Sequence, residues 1–163
     1  MSVYLISDTH FGDEAIIRYE KWPFEDSNDY LDTFVHTWNQ TIMPEDEIYH
    51  MGDVSSLGKE KTKDILDQLY GHKYLIMGNH DRHLSIMDWH DIGFEKVYDH
   101  PILIDGFVLL SHEPLYMTLN MPYVNIFGMY METLIIKMFL HVVIVHVENE
   151  ITGHLNCMMP SVH

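Results

Sequence analysis

The chain's 163 residues are the length of one ordinary domain, and 47% apolar with 12% aromatic residues is enough for a buried core. Nine Lys and Arg against 25 Asp and Glu give a formal charge of −16, which repels a phosphate backbone and disfavours non-specific binding to duplex nucleic acid. A single cysteine, Cys157, excludes an internal disulfide, an opening Met-Ser-Val-Tyr-Leu-Ile without a basic leader points to the cytoplasm, and the longest apolar stretch, Leu134 to Val147, is too short and too interrupted for a membrane span.

Val3 to Ser7 is a short β-rich run that stops at Asp8-Thr9-His10-Phe11-Gly12. In the connection that follows, Tyr19, Trp22, Phe24 and Tyr30 suit the core, with stacking on a substrate as the alternative. Arg18 suits a surface ion pair or a phosphate clamp. Asp29 to Thr41 carries Tyr30, Leu31, Phe34, Val35 and Trp38 at amphipathic spacing; Ser27 or Asn28 can cap this helix, and Pro44 prevents it from running further. Glu47 to Met51 is a second strand, stopping at Gly52-Asp53. A helix over about Lys59 to Tyr70 turns Ile65, Leu66 and Leu69 inward and stops at Gly71, with Lys59, Glu60, Lys61 and Lys63 as its solvated start. Lys73 to Met77 stops at Gly78-Asn79-His80-Asp81, and Phe107 to Leu110 stops at Ser111-His112-Glu113-Pro114.

Strands alternating with helices predict an α/β fold with a largely parallel sheet and right-handed crossovers. The carboxyl ends of such strands share one edge, where ligands bind. Each piece alone also reads as a polar turn or a helix cap. Four of them, each after a strand and with helices between, point instead to one site. Thirteen histidines in so acidic a chain supply, with Asp and Asn, the ligand types of divalent metals. Asp8 and His10, pointing the same way from an extended segment, can chelate one ion. Asp53 can bridge two ions, and Asn79 and His112 can serve the second. Gly52 and Gly78 allow tight turns beside them. His80 is then placed to protonate or stabilise a leaving group, with the adjacent Asp81 to orient it.

Through Asp8-Thr9-His10-Phe11-Gly12, Gly52-Asp53, Gly78-Asn79-His80-Asp81 and Ser111-His112-Glu113-Pro114, with Pro23-Phe24 and Trp38-Asn39 as framework, residues 1 to about 128 resemble the calcineurin-like metallophosphoesterases, in particular the small bacterial and phage-type ones. The resemblance implies an αβ-sandwich of two mixed β-sheets flanked by helices, here one domain over 1–163 with an atypical stretch over 126–163. It implies Asp8 and His10 on one metal, Asp53 on both, Asn79 and His112 on the other, and His80 as the catalytic histidine beside Asp81. It also implies two divalent ions (Mn, Fe, Zn or Ni) and a bridging hydroxide that attacks the phosphorus of a small phosphomonoester or phosphodiester. A nuclease is a weaker reading, given the charge, and no membrane partner is expected.

One motif departs from the family pattern. Its final Gly-His-x-His would fall after Tyr123 to Phe127, where the chain reads Gly128-Met129-Tyr130-Met131. Thioether sulfur is a poor donor to hard divalent ions, so a catalytically impaired protein with a binding role or none is the alternative function. Beyond this point the composition shifts: no aspartate follows Asp105, Lys137 is the one basic residue after Lys96, and five of the 12 methionines lie after Gly128. Back-translated as GGN-ATG-TAY-ATG-GAR with C at both free positions, one added G after the first two bases restores Gly-His-Val-His, the signature of a shifted reading frame. Gly153-His154-Leu155-Asn156 is a competing, late version of the motif, while His141, His146 and His163 read as strand, surface or terminal residues.

Overall fold

The computed structural model describes residues 1–118 and 120–128. Strands β1 (Val3–Ile6), β2 (Glu47–His50), β3 (His72–Ile76) and β4 (Lys96–Tyr98) form an all-parallel sheet in that order. Helices α1 (Glu14–Tyr19) and α2 (Ser27–Thr41) lead from β1 to β2, and α3 (Lys59–Leu66) leads from β2 to β3. A 3-10 turn (His80–His83) and α4 (Ile86–Ile92) lead from β3 to β4. A second, mixed sheet holds β5 (Ile102–Ile104), β6 (Val108–Ser111) and β7 (Val124–Phe127), with β5 antiparallel and β7 parallel to the central β6.

The period of two along the strands divides the core into two layers. Ile6, Ile48 and Leu75 face one side, packing with Phe34 and Trp38 of α2, Ile65 and Leu66 of α3, and Trp89 and Ile92 of α4. Leu5, Ile76 and, just past β2, Met51 face the other side, packing with Leu110 of β6 and partly buried Ile102, Val108 and Ile126. The result is a layer of helices, a parallel sheet and a second sheet, the α/β sandwich that the sequence predicts. No helix among the described residues is long and apolar enough to cross a membrane.

Two helix ends differ from the sequence expectation. The cap of α2 is Asp26, whose carboxylate accepts from the N–H groups of Asn28 and Asp29. Ser27 is the first helical residue and instead donates from its backbone and hydroxyl to Glu14. Helix α3 stops at Leu66 rather than near Tyr70 because α2 claims the backbone beyond it. Asn39 donates to Gln68 O and accepts from Tyr70 N–H, and Trp38 Nε1 donates to Tyr70 O. The start of α3 is also less solvated than expected, since Lys59 bridges to Asp88 and Asp91 and ties α3 to α4.

The aromatic face of α2 packs ring against ring in the helix-side core, with Phe34 5.0 Å from Phe11, 5.8 Å from Tyr30 and 5.5 Å from Trp38. Phe34→Ala leaves a cavity among rings that cannot collapse into it. It should cost about 3–5 kcal/mol in urea unfolding, whereas a loss under about 1 kcal/mol would show that the cluster repacks.

Candidate metal centre

The predicted residues lie just beyond the carboxyl ends of β1, β2, β3 and β6, which the topology gathers at one end of the sandwich. The chain does not leave β1 extended, as the sequence reading had it. Asp8 and His10 both have left-handed backbones, with φ of 56° and 43°, and Asp53 matches them at 58°. Left-handed non-glycine residues are strained and persist where surrounding bonds fix them. Here the β1 and β2 exits are stitched together: Asp8 N–H donates to Gly52 O at 2.9 Å, His10 N–H to Asp53 O at 3.0 Å, and Phe11 N–H to Val54 O at 3.0 Å.

Asp8, His10 and Asp53 each present a ligand-type atom, all within 4.8 Å of one another. His10 Nε2 lies 3.8 Å from Asp8 Oδ1 and 3.8 Å from Asp53 Oδ2, and His112 Nε2 lies 3.5 Å from the same Asp53 oxygen. Asn79 Oδ1 is 3.0 Å from His112 Nε2. His10 and His112 therefore both face Asp53 Oδ2, with Asp8 beside His10 and Asn79 beside His112. The other oxygen, Oδ1, is occupied by the His80 N–H at 2.9 Å.

The chemistry of this donor set fits a cation. His112 Nδ1 donates to Met51 O at 2.8 Å, which turns Nε2 toward Asn79 Oδ1 and Asp53 Oδ2. Burial raises the Asp8 carboxyl to about 6, against the lowering effect of the Ser7 hydroxyl bonded to it, and nearby Asp53 raises it further. Burial likewise lowers His10 below its usual value, with Asp53 opposing. Among the described residues no lysine or arginine pairs with Asp8 or Asp53; the ionisable bases beside them are histidines. Electron-rich atoms converging without a protein cation are what a divalent ion neutralises.

His80 is exposed, its ring edge-on to His10 at 5.3 Å and its Nε2 4.0 Å from Asp53 Oδ2. Asp81 does not orient it. The Asp81 side chain turns inward, fully buried, and accepts three backbone N–H groups, those of Asp53, Val54 and Gly78. Proximity in sequence misassigned this residue, because the 3-10 turn puts consecutive side chains on different sides. Gly52 and Gly78 are required by close packing. A Cβ on Gly52, itself at φ 98°, would meet Gly78 N and His112 Nδ1, and one on Gly78 would strike Asp53 Oδ1.

His50, the last residue of β2, escaped the sequence reading because it is buried beneath the ligand-bearing loops and its partners come from them. Its neighbours fix its tautomer: the Thr9 hydroxyl donates to Val54 O at 2.8 Å, so His50 Nε2–H donates to Thr9 Oγ1 at 2.9 Å, and Nδ1 accepts from Gly52 N–H at 3.2 Å. One neutral imidazole thus pins both ligand-bearing loops. Arg18 pairs with Glu14 at the surface, Tyr19 is exposed, and Trp22 and Tyr30 are core residues. Gly128 follows β7 into this same end of the sandwich, donating to Ser111 O and His112 O, and a Cβ there would meet Ser7 Oγ. Met129, Met131 and His154 lie outside the described residues.

A family model described as calcineurin-like phosphoesterase matches residues 1–149. An uncharacterized protein of Methanocaldococcus jannaschii is 27% identical over 132 residues, which is 76% of this chain and 75% of that protein. The gene 66 protein of Mycobacterium phage D29 is 30% identical over 130 residues, 69% of this chain and 64% of that protein. The crystal structure of a protein of unknown function from Aquifex aeolicus matches with a TM-score of 0.56 at 33% identity, over 69% of this chain and 61% of that one. The chain therefore spans just under two thirds of the phage and Aquifex proteins.

His50 makes stability depend on pH. Burial, helped by the neighbouring His112 and His10, lowers its pKa to about 3 from the usual 6.5. Below the usual value the unfolded chain takes up a proton that the folded chain refuses, so stability falls with pH across that window. His50→Gln removes this contribution. Urea unfolding should show the wild type losing about 2 kcal/mol more than the variant between about pH 7 and pH 5. Parallel pH profiles would show that His50 is protonated in the fold.

Proposed function

The chain belongs to the calcineurin-like phosphoesterase family, and we propose that it hydrolyses a small phosphomonoester or phosphodiester at two divalent metal ions held by Asp8, His10, Asp53, Asn79 and His112. Metal-dependent phosphoester hydrolysis is the activity of this family at its general level. The observation that carries the assignment to these residues is the shared Asp53 oxygen, which both His10 and His112 approach, with Asp8 beside His10 and Asn79 beside His112. Bound there, divalent ions supply charge neutralisation and Lewis acidity toward phosphoryl oxygens.

The chain's own groups do the rest. Asp53 is held by His80 N–H on one oxygen, so its orientation is set before any ion arrives. His112 is held in one tautomer by Met51 O and turns its Nε2 toward the site. His80 has an anchored backbone and an exposed imidazole, so it can reach a phosphate ester above the ligands and donate a proton or a hydrogen bond to the departing oxygen. No arginine or lysine of the described residues joins the group, which leaves binding of the phosphate to the metals and to His80.

Hydrolysis of p-nitrophenyl phosphate and of bis(p-nitrophenyl) phosphate with added Mn²⁺ tests the reading and separates monoesterase from diesterase. His80→Ala should lower turnover by about 10²–10⁴-fold while metal content stays near that of the wild type. Loss of metal in that variant would place His80 among the ligands.

A second reading rests on Met129 and Met131, which stand where the family carries two histidines. A protein short of one imidazole per ion would bind metal weakly and turn over slowly. Met129→His combined with Met131→His should then raise both Mn²⁺ content and hydrolysis. If the pair changes neither while His154→Ala abolishes both, the late Gly153-His154 supplies the final motif instead.

A further inference from the structure

Asp81 is fully buried, yet among the described residues it pairs with no lysine, arginine or histidine; its carboxylate oxygens accept from backbone donors. Oδ2 accepts from Asp53 N–H and Gly78 N–H, both at 2.8 Å, and Oδ1 accepts from Val54 N–H at 2.9 Å. The residue's own carbonyl is tied to Trp89 Nε1 at 3.0 Å, deep in the helix-side core. In return, the Asp53 carboxylate accepts the N–H of His80, the residue just before Asp81. The two loops thus hold each other by reciprocal carboxylate-to-backbone bonds. Gly78 closes the gap between them so tightly that any side chain there would strike Asp53 Oδ1.

We propose that Asp81 is a positioning residue for the metal centre: it fixes the left-handed Asp53 backbone so that Asp53 Oδ2 faces His10, His112 and His80. This inference rests on the assignment of Asp53 as a metal ligand. Asp53 holds a φ of 58° without being glycine, and three N–H groups on one rigid carboxylate are what keep that turn in place. Released from them, the turn can relax and swing Oδ2 away from the histidines 3.5–4.0 Å from it. Asparagine has the same shape but cannot replace aspartate, because its NH₂ group must confront a backbone N–H wherever it points.

Mn²⁺ binding, followed by isothermal titration on the full chain, tests this. Asp81→Asn should weaken Mn²⁺ binding by about 10–100-fold, the usual effect of removing a group that orients a ligand, while circular dichroism shows the fold retained. In an Asp53→Asn background, adding Asp81→Asn should change the residual affinity by less than about threefold, since an effect exerted through Asp53 has nothing left to act on. A purely structural role would lower affinity equally in both backgrounds and would overturn the proposal. Should Asp81→Asn fail to fold, Gly78→Ala displaces the Asp53 carboxylate with Asp81 intact; it should weaken Mn²⁺ binding as strongly, and unchanged affinity would also overturn the proposal. A wild-type chain that takes up no Mn²⁺ would sink the function reading along with this one. Wild-type binding matched by Asp81→Asn would sink this one alone.

Discussion

Asp8 and Asp53 bring negative charge together at the carboxyl end of a parallel sheet, and nothing among the described residues neutralises it except imidazoles. Burial makes this costly: the Asp8 carboxyl rises to about 6 and His10 falls. A chain selected only for stability gains nothing from such a group of acceptors. Much of the surrounding local structure serves to keep the group assembled in spite of its own repulsion.

The restraints come from beneath the site. The β1 and β2 exits share backbone hydrogen bonds through three left-handed residues, a conformation that costs of order 1 kcal/mol each in ordinary surroundings. His50 spans the two loops from inside the sheet, and Asp81 gathers the N–H groups of Asp53, Val54 and Gly78. Tyr30 OH donates to Thr9 O, so the aromatic core beneath α2 reaches the same loop. The helix-side core and the site are therefore mechanically continuous: the rings that stabilise the fold also hold the ligands still.

The sequence discloses the strand ends well, because an apolar β-rich run that breaks at Gly, Asp, Asn or His is a local pattern. Asp8, His10, Asp53, Asn79, His80 and His112 were all found in that way, and the topology brings them together. What the pattern could not disclose is direction. The left-handed turns at Asp8 and His10 depend on bonds to β2 some 45 residues away in sequence, and Asp81 reads as a partner of His80 until the 3-10 turn is seen to send it inward. His50 was missed for a related reason, since a histidine that closes a strand below the ligand-bearing loops carries no signal until its buried neighbours are known. The cap of α2 and the end of α3 shifted because Asp26, Trp38 and Asn39 make specific bonds that amphipathic spacing does not encode.

The departure after Gly128 bears on chemistry more than on fold, since β7 still delivers its end beside Ser7 and His112. Whether five ligands suffice depends on Asp53 serving both sides of the site at once. X-ray diffraction from Mn²⁺-soaked crystals, recorded on and off the manganese absorption edge, examines that directly. Two anomalous peaks should flank Asp53, one beside Asp8 and His10 and the other beside Asn79 and His112. Peaks remote from Asp53, or none at saturating Mn²⁺, would contradict the assignment of these residues as a shared metal centre.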